Sequence, residues 1–245
     1  MTDEAELIAL LAAAARHGRA DVDATLFADL DRAAAYRVQI GVMAALNERV
    51  GMLKTAVAAD GTGVAAPIYE SRIGRSQAFS VPAAQVLGIE LEVALVLGRD
   101  LSVAAATSDP ASVTDAMSHH VLGLELCSTR FRDRKAARNH AGLADGMSAF
   151  GYVIDPAPRE LGAQIDGFDV EITHNGTVIH AAPAQHSFGT VLASFDAYAR
   201  AQHPDLTLAA GLTVTTGSLC GLVPLPGPGL VVARLGTHSV TCLFT

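Results

Sequence analysis

Glu90 and Glu92 stand two residues apart inside residues 88–98, an apolar run rich in Leu, Ile and Val and bounded by two glycines. Such a run reads as a buried strand. Side chains alternate along a strand, so the two carboxylates share a face that Ala94 and Val96 continue. Ile89, Leu91, Val93 and Leu95 fill the other face. Two ionised carboxylates side by side on a buried face repel each other and lose hydration. A bound divalent cation compensates most directly. Residues 121–127 repeat the pattern, with Leu122, Leu124 and Leu126 on one face and Glu125 on the other, between Gly123 and Cys127. If the two strands adjoin, three carboxylates converge. Three carboxylates plus waters suit Mg²⁺ or Mn²⁺. The plainer alternative is a pair of amphipathic strands whose glutamates face water.

The remaining elements must bring these strands together. Residues 4–17 read as a helix opened by Asp3 and Glu6 at capping-box spacing, and a second helix runs from about 30 to 49 before Gly51. Lys54 lies in a strand-like run over 50–57, where a lone lysine ordinarily snorkels to the surface. Asp60-Gly61-Thr62-Gly63 is a turn, and residues 64–80 read as an irregular polar connection. Asp109-Pro110 predicts a helix start, the helix running to about His119, with His119-His120 at its end. Residues 128–148 read as a loop carrying Arg130, Arg132, Arg134, Lys135 and Arg138. Asn175-Gly176 predicts a tight hairpin turn between strands over 169–180. A helix over 190–198 and strands over 211–218, 230–233 and 238–244 complete the chain.

Taken in order, Glu90-Leu91-Glu92, the following Val96-Leu97-Gly98-Arg99-Asp100-Leu101 and Gly123-Leu124-Glu125 resemble the 2-keto-4-pentenoate hydratases of the fumarylacetoacetate hydrolase superfamily. Ala35-Tyr36-Arg37-Val38-Gln39, Lys54 after Gly51, Ala144-Asp145-Gly146 and Thr216-Gly217-Ser218 add to the resemblance, which covers about residues 30–155 and 165–245. It implies an α+β fold, with a β-rich mixed-sheet core of the fumarylacetoacetate hydrolase C-terminal type and N-terminal helices. The chain would form a single domain over 1–245, helical to residue 50 and a β-rich catalytic core from 51. Glu90, Glu92 and Glu125 would hold one Mg²⁺ or Mn²⁺, Lys54 would move or stabilise a proton, and Thr216, Ser218 and Arg130 would meet the substrate carboxylate. Asp145 would lie behind the ligands, and Tyr36 and Gln39 read as helix packing and a local hydrogen bond.

The implied activity is addition of water to a short 2-hydroxy-dienoate or 2-oxo-enoate. The pattern also departs from the family. Many hydratases carry an acidic residue after the equivalent of Pro67, where this chain has Ile68, and Ser128-Thr129-Arg130 stands where they have Asp-Ser-Arg. The loss at Ile68 makes a metal-dependent decarboxylase of 2-oxo-enedioates (4-oxalocrotonate type) the alternative, with a non-catalytic subunit of such a complex as the non-enzyme reading. No His-Glu pair is placed to activate water for a C–C bond hydrolase.

Composition bounds the rest. The 245 residues are half hydrophobic, enough for one large core, and the net charge of −8 argues against nucleic acid as a partner. Three cysteines, Cys127, Cys220 and Cys242, form no C-x-x-C, and the cytoplasm is the expected compartment. The apolar run from Leu7 to Ala15 follows acidic residues and is too short to span a bilayer, so no membrane partner is expected. There is no phosphate loop, no H-E-x-x-H and no G-x-S-x-G. The expected partners are a small 2-oxo acid and, by resemblance, further copies of the chain.

Overall fold

A computed structural model describes residues 3–138, 140–159, 165 and 167–245. Helices α1 (Glu4–Arg16) and α2 (Arg32–Ala45) lead the chain into strands β1 (Val50–Val57), β2 (Gly63–Tyr69), β3 (Ile73–Arg75) and β4 (Ser80–Val81). Strand β5 (Gly88–Leu97) carries Glu90 and Glu92. Two short helices, α3 (Val103–Ser108) and α4 (Ala111–Asp115), follow before β6 (Met117–Cys127), which carries Glu125. After α5 (Ala141–Ala144) come β7 (Ala149–Arg159), β8 (Asp169–His174) and β9 (Thr177–Pro183). Helix α6 (Ala193–Ala199), β10 (Thr213–Ser218), β11 (Val223–Pro224), β12 (Gly229–Leu235) and β13 (His238–Phe244) end it.

The strands form two sheets. The first runs β2-β1-β10-β5-β6-β7-β3, with β11 also on β5, and the second runs β4-β13-β12-β8-β9. Both mix parallel and antiparallel pairs: β1 is parallel to β10 and β13 to β4, while β5 is antiparallel to both β10 and β6. The first sheet curls until Met52, Ile68, Ala94, Val121 and Tyr152, from five of its strands, meet in one apolar cluster. Its other face joins the larger core, where Leu91, Val93, Leu124 and Leu126 pack with the helices and the second sheet. The fold is therefore the expected mixed α+β one.

Helix α2 is tied down by two side chains. The Tyr36 hydroxyl accepts the Ala65 N–H at 3.0 Å, and Gln39 Nε2 donates to the Leu143 carbonyl at 2.7 Å. These are long-range ties rather than local bonds, and they fix the helix across β2 and α5. Helix α2 ends earlier than the apolar pattern suggests, because Asn47 turns to a φ of 56°.

Three expectations are corrected. Residues 63–69 are a strand, not an irregular connection: all but Tyr69 are buried. Pro67 disguises it, and the chain tolerates that proline because β2 lies at the end of its sheet's order, where a missing N–H leaves no ladder broken beyond β1. The helix after Pro110 stops at Asp115, and His119 and His120 stand in β6 opposite Val96 and Leu95. Pairing with β5, and for His120 with β7 as well, overrides the helical pattern. The crossover between the glutamate strands thus feeds an antiparallel pair.

Candidate functional site

The register of the first sheet assembles the site. On the β5–β6 ladder Glu90 is opposite Glu125 and Glu92 is opposite Gly123. On the β6–β7 ladder Glu125 is opposite Tyr152, and on β1–β10 Lys54 is opposite Thr215. Alternation turns all of these side chains to the concave face. Lys54 Nζ reaches across it to Glu125 Oε1 at 2.7 Å and lies 3.8 Å from Glu90 Oε2. Glu92 and Glu125 are fully buried, whereas the Glu90 and Lys54 side chains keep 17% and 12% of their exposure. The site therefore opens to solvent on the Glu90 side.

Two carboxylate oxygens here, Glu92 Oε1 and Glu125 Oε2, are buried with no amide, hydroxyl or ammonium donor on them. Burial first, then the charge of Glu125, pushes the Glu92 carboxyl well above its ordinary range, eased by Lys54 and by the Thr215 hydroxyl. Burial also raises Glu125, against the pull of Lys54 and of a hydrogen bond between the Glu92 and Glu125 carboxyl groups, which a bound ion would replace. Burial alone would lower Lys54, but Glu125, Cys127, Glu90 and Glu92 outweigh it and hold the ammonium charged. Ionised together, as they would be around a bound ion, the three carboxylates exceed the one ammonium by two negative charges, which a divalent cation matches. An all-carboxylate oxygen set suits a hard cation, and the two unpartnered oxygens are free to ligate one, so the residues present fit such an ion. Among the described residues, donor atoms of Glu90, Glu125 and Cys127 come within 4.8 Å of one another, a group that does not include Glu92. Burial and the neighbouring Glu125 raise the Cys127 thiol well above its usual value, so it stays protonated beside the carboxylates.

Not every expected residue joins this face. Thr216 is the neighbour of Thr215 and so points the other way: its hydroxyl donates to the Val93 carbonyl at 3.2 Å and lies 3.4 Å from His186 Nε2. The Ser218 hydroxyl accepts the Cys220 N–H and donates to the Gly221 carbonyl, closing a local turn at the end of β10. Arg130 is held by Asp145, whose carboxylate takes its Nε and whose carbonyl takes its Nη2. Asp145 also accepts from the Thr129 hydroxyl at 2.6 Å, so it serves the arginine rather than the glutamates. Arg130 borders a cavity of about 250 Å³ with Arg16, Tyr69, Arg72, Leu87 and Ser128. Leu87 and Ser128 flank Gly88 and Cys127, which places this cavity at the end of the β5–β6 ladder.

Two residues of the site were not singled out from sequence. Thr215 donates to Glu92 Oε2, and the fully buried Tyr152 places its hydroxyl 3.2 Å from Thr215 Oγ1. The signal for Thr215 was its parity with Lys54 across a parallel ladder, which is invisible until the pairing is known. The signal for Tyr152 was Gly123, since a Cβ there would collide with the Tyr152 ring. His186 is a third buried polar residue: burial pushes its imidazole down to about 4, and its Nδ1 accepts the Phe188 N–H at 3.1 Å. It lies behind Thr216, off the glutamate face.

No family model matches the chain, and no curated protein sequence matches it. Solved structures do. A 4-oxalocrotonate decarboxylase from Pseudomonas putida G7 complexed with magnesium and adipate aligns over 100% of this chain and 99% of its own, at 18% identity and a TM-score of 0.80. A fumarylacetoacetate hydrolase family protein from Yersinia pestis CO92 aligns over 82% and 95%, at 19% identity and a TM-score of 0.57. A 5-carboxymethyl-2-hydroxymuconate delta-isomerase from Mycobacterium smegmatis aligns over 80% and 79%, at 16% identity and 0.57. The chain therefore has the fold of fumarylacetoacetate hydrolase superfamily structures, several of them enzymes, one holding a divalent metal. No helix among the described residues is long and apolar enough to cross a membrane.

Proposed function

We propose that the protein is a divalent-metal-dependent lyase that removes carbon dioxide from a short 2-oxo-enedioate. The observation that carries the metal is the pair of buried, unpartnered oxygens of Glu92 and Glu125 on the face where Lys54 ends. Glu90, Glu92 and Glu125 would hold the ion. Bound there, a hard divalent cation supplies a Lewis acid that polarises a 2-oxo acid.

The chain's own residues do the rest. Lys54 presents an ammonium, kept charged by the carboxylates, to negative charge that builds on the substrate as the C–C bond breaks. The bond's electron pair stays on the carbon chain, carbon dioxide leaves, and a proton takes its place. Met52, Ile68, Ala94 and Val121 form an apolar wall beside the carboxylates. Such a wall disfavours a carboxylate and favours its loss as a neutral molecule. Ile68 is 1% exposed within that wall. The position where hydratases carry a proton-transferring acid is thus part of the packing, which favours decarboxylation over water addition. The full-length likeness to a decarboxylase structure supports the same choice.

Water addition to a 2-hydroxy-dienoate is the second reading. It is favoured by the exposure of Glu90 and Lys54, which leaves solvent a path to the site.

Incubation of the purified protein with 2-oxohex-3-enedioate and Mn²⁺ distinguishes the two. The expected result is a product lighter by one CO₂, formed only with the metal and not by Glu92→Gln. No release of CO₂, together with conversion of 2-hydroxypenta-2,4-dienoate to a product one water heavier, would replace decarboxylation with hydration. Turnover of neither, in a protein that binds no Mn²⁺, would remove the enzyme reading.

A further inference from the structure

Glu92, like Glu125, is fully buried, and a carboxylate that must offer one oxygen to a cation needs its other oxygen fixed. We propose that Thr215 and Tyr152 are positioning residues that clamp Glu92 for the cation, an inference that rests on the metal reading above. The Thr215 hydroxyl donates to Glu92 Oε2 and leaves Oε1 as the unpartnered oxygen. A hydroxyl has one hydrogen, so with it committed to Glu92 the Thr215 oxygen is an acceptor toward Tyr152. The Tyr152 hydroxyl, 3.2 Å away, then donates to it. The chain runs in one direction, from Tyr152 through Thr215 to Glu92.

Three independent features of the fold serve this chain. Gly123, opposite Glu92, leaves the space that the Tyr152 ring occupies on its way across β6 and β5 to β10. The ladder register breaks between Thr215 and Ser218, which lets Thr215 pair with Ala94 while Ser218 pairs with Glu92. Tyr152 and Thr215 are both fully buried, so neither hydroxyl exchanges its partner for bulk water. Two adjacent threonines thereby have opposite duties: Thr216 bonds the backbone of β5 and Thr215 its carboxylate.

The test is Mn²⁺ affinity, measured by calorimetry on the full chain, with thermal melting as the check on folding. Removing an outer partner of a metal-binding carboxylate typically weakens metal binding by about 10–100-fold. Thr215→Val should lose affinity in that range, and Thr215→Ser, which keeps the hydroxyl and drops the methyl, should stay within about 3-fold of wild type. Tyr152→Phe should fall between them and, in turnover assays, should raise the Mn²⁺ concentration for half-maximal rate more than it lowers the saturated rate. Should Thr215→Val fail to fold, Thr215→Ser and Tyr152→Phe carry the test. Wild-type Mn²⁺ affinity in Thr215→Val, or in Tyr152→Phe, would overturn the clamp while leaving the metal reading intact. Equal losses in Thr215→Ser and Thr215→Val would also overturn it, by showing that packing and not the hydroxyl matters. Absence of Mn²⁺ binding in the wild-type protein would remove both readings together.

Discussion

The two sheets follow opposite rules. In the second sheet, β12 and β13 alternate cleanly, with Val231, Ala233, Leu235, Val240, Cys242 and Phe244 buried and the residues between them turned outward. Its charged pair, Arg234 with Glu171, stays about half exposed at 2.9 Å. Its hairpin between β8 and β9 uses Asn175 and Gly176 at φ of 49° and 80°, as the turn type demands. The concave face of the first sheet breaks these rules. It buries Glu92 and Glu125 side by side, leaves an oxygen of each without a partner, and spends Gly123 on room for a tyrosine ring. Strands β12 and β13 pack by plain alternation, and the first sheet gives up stability at the place where chemistry is proposed.

That contrast can be broken or sharpened by substitution. The largest effect is expected for Lys54→Met, which strips the buried carboxylates of the one cation close to them among the described residues. In metal-free buffer it should cost about 3 kcal/mol in urea unfolding, as removal of one partner of a buried pair does. Added Mn²⁺ should recover part of that loss, and no recovery would count against the carboxylates as its site. Gly123→Ala should cost about 1–3 kcal/mol by overpacking against Tyr152. The double variant Gly123→Ala/Tyr152→Leu should be less impaired than the two single losses added together. In the second sheet, Gly176→Ala should cost only about 1 kcal/mol, from the strain of a positive φ, and should leave Mn²⁺ affinity unchanged. Arg234→Ala should change stability by less than about 0.5 kcal/mol, because exposed ion pairs contribute little. A loss as large as that of Lys54→Met would erase the distinction between the two sheets.

The same contrast explains what the amino-acid sequence revealed. Strands that obey alternation were legible, down to the Asn175-Gly176 turn and the strand ending at Ser218. The shared face of Glu90 and Glu92 followed from a spacing of two, whereas the long-range hydrogen bonds of Tyr36 and Gln39 replace the local bond expected of them. Strand β2 was hidden because Pro67 and its small neighbours imitate a loop, and its burial comes only from the strands around it. The side of the sheet that Thr215 and Thr216 each face depends on pairing with β1 and β5, more than a hundred residues away. Local sequence cannot encode that register. Arg130 drew attention as part of a basic run, and only the fold shows Asp145 holding it.

The central claim is that Glu90, Glu92 and Glu125 form one divalent-cation site, and direct titration tests it. Calorimetric titration of the chelator-treated wild-type protein with Mn²⁺ should show one ion bound per chain. Binding should weaken at least about tenfold in Glu92→Gln and in Glu125→Gln, each still folded by thermal melting. No Mn²⁺ binding by the wild-type protein, or binding that both variants retain at full strength, would contradict the account and leave the buried glutamates with a structural role.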